Sequence, residues 1–392
     1  MGRSSCRAVP MRCAPNTPSP DTMKNAKYRL FAFFFNLYRI FFKPDHHKVS
    51  FIMVHQSHFQ GNLRYIWEEL QERDHFQCTL IFKDEYRSGT IKSLLNLFLV
   101  KTRQLATSQY VFLNDNFLPL AFMNFHPEAE VVQLWHAAGA FKKFGLSAPT
   151  DPNLVELEKM IAQRLDYVVV SSQKVAPYYM EAFGVGKEKI LPLGIPRTDY
   201  YFQEHDLDSL RNKFEKLYPA SKNKKLVLYA PTFREDPELD KNLLNNLDID
   251  LFQEKLGKEY LLAVRLHPQI NQDQKLSPEV IDLTSYPDEK ELLLLTDILI
   301  TDYSSIMVEY TLLEKPVIFY PYDLEFYEFY ERGFYQDYHE MVPGPIARSN
   351  QELIAIIKED GYDFNRIREF KESQFDHADG KSSQRVVDHL IK

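Results

Sequence analysis

The chain has 392 residues, 44% hydrophobic and 26% charged, with a formal net charge of −8. That length exceeds one small core and favours two domains, and the acidic balance excludes the basic field of a nucleic-acid binder. The three cysteines, Cys6, Cys13 and Cys78, have neither metal nor redox spacing and fit a reducing compartment.

Residues 1–22 are rich in Pro, Ser, Cys and Arg, lack periodicity, and read as a disordered extension ahead of Met23. Residues 23–47 centre on YRLFAFFFNLYRIFFK (28–43), in which eight of sixteen residues are Phe or Tyr. This run is too short and interrupted to span a bilayer. Aromatic bulk beside Arg29, Arg39 and Lys43 instead predicts an amphipathic helix lying in the membrane interface. The competing expectation is a first helix packed on its own domain.

Residues 48–200 then alternate. Val49–Val54 reads as a strand, followed by a polar loop (55–62) and a helix, Leu63–Glu72. Further strands are expected at Cys78–Phe82, Ser108–Leu113, Val131–Trp135 and Asp166–Ser172. Strand, loop and helix in repetition open a parallel α/β domain. A boundary is expected near residue 200. Residues 201–392 repeat the pattern, with strands at Lys225–Ala230, Tyr260–Leu266 and Val280–Leu283 and helices at 248–257, 289–295, 350–358, 363–374 and 380–391. Residues 322–335 read as an aromatic, acidic loop.

The most informative stretch is TDILITDYSSIMVEYTLLEKPVIFYPY (296–322). A buried strand ends at Thr301-Asp302, a helix starts in a Ser304-Ser305 turn, and Pro316 stops it before the next strand. Main-chain N–H groups at such a turn suit a phosphate, and Glu309, a turn further on, suits ribose hydroxyls. The plainer alternative is an ordinary strand–helix junction with capping serines.

In open parallel sheets, ligands bind beyond the carboxyl ends of strands. In the second half those ends carry Thr232 and Arg234, Arg265 and His267, and Asp302 with Ser304 and Ser305. In the first half one carries His136, before a Gly turn and Lys142-Lys143, which makes it a general-base candidate. The set suits a phosphorylated donor: arginines and a helix end for phosphate, histidine for a proton. No metal-ligand spacing, G-x-S-x-G, G-x-G-x-x-G or Walker loop occurs, so hydrolase, dehydrogenase and P-loop readings are set aside.

Eight ordered motifs carry a resemblance: QLWHAAGAFKKFG (133–145), VVSSQ (169–173), LPLGIPRTD (191–199), YAPTFRED (229–236), RLHP (265–268), TDYSSIMVEY (301–310), KPVIFYPYD (315–323) and DGKSSQRV (379–386). Over roughly residues 48–390 the chain resembles the CDP-glycerol glycerophosphotransferase family of teichoic acid synthesis. The resemblance implies a GT-B-like fold, two Rossmann-like domains facing a cleft, at the cytoplasmic face of the bacterial membrane. It implies transfer of glycerol phosphate from CDP-glycerol to a hydroxyl on an undecaprenyl-diphosphate-linked disaccharide, with release of CMP. His136 then matches the base and His267 the histidine at the donor diphosphate. Asp302, Ser304, Ser305 and Glu309 match the donor-binding segment. Thr232 and Arg265 join the donor set by position. The chemistry needs no metal or other cofactor in principle, and Mg²⁺ stays open as an alternative. Ala137-Ala138 and the short length resemble single-addition, primase-type members. A CDP-ribitol donor, polymerisation, a nucleotide-sugar glycosyltransferase and a non-catalytic binding protein stay open as alternatives, and spacing says nothing of the oligomeric state.

Overall fold

The computed structural model describes residues 20–391 except 56, 74, 88–89, 149–150, 235–242, 268–278 and 332. Residues 1–19 of the expected extension lie outside the described residues. The first sheet has six parallel strands: β1 (Asp45–Ile52), β2 (Gln77–Ile81), β3 (Ser108–Leu113), β4 (Glu130–Gln133), β5 (Tyr167–Val169) and β6 (Ile190–Leu191), in the order β2-β1-β3-β4-β5-β6. The second has five: β7 (Lys225–Ala230), β8 (Tyr260–Val264), β9 (Ile281–Asp282), β10 (Ile298–Thr301) and β11 (Val317–Phe319), in the order β11-β10-β7-β8-β9.

Near-continuous apolar runs form these strands because both faces are covered. Period-2 alternation divides each strand between two cores. Val111 and Leu113 face one layer of the first sheet, and Tyr110 and Phe112 face the other. Val227 and Tyr229 likewise face away from Leu226, Leu228 and Ala230.

Each strand order reverses once. The first reverses between β1 and β3, the second between β7 and β10. At such a point the loops leaving two neighbouring strands diverge and open a crevice. The loops after β1 and β3 carry His55 and Asp115, and those after β7 and β10 carry Thr232 and Asp302.

Three segments differ from expectation. The aromatic stretch after β11 contains a helix, Leu324–Tyr330, because Tyr327 is buried in a stack on Tyr303, with ring centroids 3.9 Å apart. Residues 91–106, given no element from sequence, are helical throughout. The final helix, Ser382–Leu390, counted above with residues 201–392, packs on the first sheet, where Val386, Val387 and Leu390 join the layer of Leu63 and Ile66.

The first helix, Pro20–Phe41, divides its apolar residues between two faces. Phe31, Ala32 and Phe35 are buried in the first domain's core. Leu30, Phe33, Leu37, Ile40 and Phe41 are exposed, as are Ile91, Leu95, Leu99 and Val100 of the helical segment whose later turns pack on this helix. Among the described residues no helix is long and apolar enough to cross a membrane.

Candidate active site

The turn after β4 carries His136. Trp135 there has φ +57°, a left-handed conformation costly for a bulky residue, so the surroundings must hold it. They do so with main-chain hydrogen bonds. Trp135 N–H donates to Gln133 Oε1 at 2.9 Å, and Asn62 Nδ2 donates to the carbonyls of Leu134 and Trp135. The Tyr179 hydroxyl closes the far side by donating to the carbonyls of Ala137 and Gly139.

This turn places the His136 imidazole at the first reversal point. Its Nδ1 lies 3.2 Å from Asp115 Oδ2, and His55 Nε2 lies 3.4 Å from the same oxygen. Asn116 N–H donates to Oδ1. Burial alone would raise the Asp115 carboxyl, but hydrogen bonds from His136 and His55, and their charge, outweigh it and hold Asp115 well below the usual carboxylate range. A carboxylate on Nδ1 selects the tautomer whose Nε2 is free to take a proton. The His136 side chain is 48% exposed, so a substrate hydroxyl can approach it. Asp115 has no role assigned from the sequence. The signal available was the polar Asn114-Asp115-Asn116 cap on β3, one strand from β4.

The second reversal point holds the expected donor residues, in two different roles. Ser304 and Ser305 are half-buried at the start of the helix Ile306–Tyr310. Thr232 is buried, and its Oγ1 has no hydrogen-bond partner among the described residues. Arg265 keeps 17% of its side chain accessible while Nη1 donates to the carbonyls of Leu283 and Tyr286. His267 is exposed, its ring centroid 4.7 Å from that of Phe233.

Asp302, expected to bind the donor, is instead fully buried. Its oxygens accept from Thr232 N–H, Tyr303 N–H and Arg234 Nη2, so it fixes the loops that present Thr232 and Ser304. Arg234, expected to hold phosphate, is consumed as well. It forks onto Asp323 and Asp302 inside a ring of Tyr303, Tyr322 and Tyr327. Burial works against its charge, and the two carboxylates more than restore it. Glu309, expected at ribose hydroxyls, is 3% exposed and accepts from Arg197 and from the Tyr201 hydroxyl.

The two clusters adjoin. A Cβ added at Gly139, where φ is +65°, would lie 2.8 Å from Val308 Cγ1 in the helix behind Ser305. Arg197 donates to the His136 carbonyl and to Glu309, and Glu289 lies between Arg197 and Arg265. Sequence reasoning missed Arg197, although it stands in the LPLGIPRTD motif.

Two Rossmann-type sheets with polar clusters at both reversal points define a GT-B-like protein. A family profile for CDP-glycerol:poly(glycerophosphate) glycerophosphotransferase matches residues 33–392, and the chain belongs to that family. It is 36% identical over 369 residues to the teichoic acid poly(ribitol-phosphate) polymerase of Bacillus spizizenii, an alignment covering 92% of this chain and 59% of that protein. It is 36% identical to the teichoic acid ribitol-phosphate primase of the same organism, covering 88% of this chain and 91% of the relative. Against the teichoic acid glycerol-phosphate primase of Bacillus subtilis it is 30% identical, with 85% and 89% covered. The solved structure of the wall teichoic acid polymerase TagF superposes with a TM-score of 0.75 at 25% identity, covering 94% of this chain and 95% of that one.

Proposed function

We propose that this protein moves a polyol phosphate from a CDP-polyol to a hydroxyl of an undecaprenyl-diphosphate-linked saccharide and releases CMP. The observation that carries the reading is the Asp115–His136 pair, with Nδ1 3.2 Å from Oδ2, on a turn that abuts the helix behind Ser304 and Ser305. In this reaction the acceptor oxygen bonds to the phosphorus that bears the polyol. The bridging P–O bond to CMP breaks, CMP leaves with the electron pair, and His136 Nε2 takes the acceptor proton. Phosphoryl transfer asks mainly for positioning and charge neutralisation. The Thr232, Ser304 and Ser305 hydroxyls, Arg265 and His267 supply these at the donor diphosphate. Asp302 and Glu309 hold those groups in place. No resident cofactor is part of the reading.

Glycerol phosphate is the group expected first, and Ala137-Ala138 favours its single addition. A second reading, ribitol phosphate, is favoured by identity: two relatives at 36% carry ribitol-phosphate names, against 30% for the Bacillus subtilis glycerol-phosphate primase. The acceptor is a lipid, and the exposed face of the first helix suits a peripheral site on the cytoplasmic leaflet. Leu30, Phe33, Leu37, Ile40 and Phe41 stand there beside the exposed cations Lys27, Arg29 and Lys43.

The test mixes purified protein with CDP-glycerol, CDP-ribitol or UDP-sugars and a short-chain lipid-diphosphate disaccharide, and follows the acceptor by mass spectrometry. A gain of one glycerol or ribitol phosphate supports a primase and names the donor, whereas a ladder makes the protein a polymerase. UDP release alone overturns the proposal in favour of a glycosyltransferase. No turnover of any donor leaves a binding protein.

A further inference from the structure

Arg197 lies in the linker between the sheets, in the short helical turn Pro196–Phe202, and its side chain touches both halves. Its Nε and Nη2 each approach Glu309 Oε1 at 2.6 Å, and Nη2 lies 3.4 Å from Glu289 Oε1. Nη1 donates to the His136 carbonyl at 3.2 Å. Its own N–H donates to Asn62 Oδ1 at 2.9 Å, and Asn62 in turn holds the carbonyls of Leu134 and Trp135. Three successive carbonyls of the strained base-bearing turn are therefore secured by Arg197 directly or through Asn62. The same guanidinium secures the helix behind Ser304 and Ser305 through Glu309.

We propose that Arg197 is a positioning residue that couples the donor-side helix to the pose of His136. The inference rests on the reading of His136 as the general base. Two physical points carry it. Glu309 is 3% exposed, and a buried carboxylate keeps its cationic partner, so the helix and Arg197 move together. A guanidinium presents five donors in a rigid plane, so any displacement that serves Glu309 is passed to the His136 carbonyl. A flexible ammonium would satisfy Glu309 and release the turn.

The test is Arg197→Lys, which keeps the charge beside Glu309. Thermal unfolding close to wild type is expected, with the 134–140 amides exchanging hydrogen several-fold faster in the absence of any substrate. With a turned-over CDP-polyol, kcat falls about tenfold or more while donor KM stays within about twofold, because a small misplacement of a base is costly. In a His136→Asn background the same change adds no further loss. Unchanged exchange, or a kcat loss that multiplies onto His136→Asn, overturns the proposal. If Arg197→Lys does not fold, Asn62→Ala, which cuts the link from the Arg197 N–H to the Leu134 and Trp135 carbonyls and leaves the guanidinium on Glu309 and the His136 carbonyl, is read in the same way. Wild-type turnover by His136→Asn would remove the base assignment alone, and the exchange result would still decide whether Arg197 holds the turn.

Discussion

His136 Nδ1 and Asp115 Oδ2 stand 3.2 Å apart, joining the loops that leave β4 and β3. In the proposed reaction the carboxylate orients the ring and stabilises the imidazolium formed when Nε2 takes a proton. An amide in its place keeps the shape and loses the charge. Asp115→Asn should therefore lower kcat on the order of 10²–10⁴-fold, the range a general base contributes. Donor KM should hardly change. Steady-state CMP release measures both.

The sign of the Asp115 shift fixes a pH expectation. Its native pKa is depressed, because hydrogen bonds from the two imidazoles outweigh burial. Its stabilising contribution is thus fully present above the unfolded value of about 3.9 and is lost as pH falls through the lower native value. Urea denaturation should find Asp115→Asn less stable than wild type near neutral pH, with the gap closing well below about pH 4. Any loss of activity between about pH 5 and 7 then comes from protonation of another group. A gap that persists at the acid end would contradict this account.

Gly139 is the contact point between the two clusters. Its φ of +65° disfavours any side chain, and a Cβ there would lie 2.5 Å from Gln374 Oε1 and 2.8 Å from Val308 Cγ1. Gln374 Oε1 also accepts from Ala140 N–H, so it is not free to retreat. Gly139→Ala should cost about 2–4 kcal/mol, summing the left-handed penalty and overpacking. Activity should fall even at temperatures where the protein is folded. Calorimetry with parallel turnover assays checks this.

The final helix begins after Lys381, whose side chain cannot accept a hydrogen bond. Asp199, nearly two hundred positions earlier, does the capping. It accepts from the N–H groups of Ser382 and Ser383 and from the Ser383 hydroxyl. Asp199→Ala should destabilise by about 1–2 kcal/mol or somewhat more, since the orphaned N–H groups are buried. Limited proteolysis should then release the C-terminal segment first. Cleavage elsewhere first would argue that Val386, Val387 and Leu390 hold the helix without its cap.

Phe33 and Ile40 lie seven positions apart on the first helix, on its exposed face, 59% and 71% accessible. Phe33→Glu with Ile40→Glu leaves the buried Phe31 and Phe35 untouched, so folding should be retained. Binding to anionic vesicles should drop at least tenfold, because acidic groups replace apolar ones at a negative surface. Turnover of a lipid-bound acceptor should fall with it, and that of a soluble analogue should not. Equal losses on both acceptors would point to a purely structural role for the helix.

The strands, their ends and the Ser304-Ser305 turn were legible in the sequence because they follow from local rules. Buried parallel strands are short apolar runs, and ligands gather where those runs end. The motifs carried the family. What the sequence left undecided was the partner of each charge. Arg234 reads as a phosphate ligand until Asp323, 89 positions away, is seen to take its Nε. Glu309 reads as a ribose ligand until Arg197 reaches it from the linker. Asp115 is only a polar residue past the end of β3 until His136 and His55 converge on one of its oxygens. The physical reason is the same in each case. Burial makes an unpaired charge costly, and its neutralising group comes from whichever loop the strand order brings alongside. Strand order is a property of the closed sheet, so only the tertiary structure could separate the groups free to meet a substrate from those already spent holding the site together.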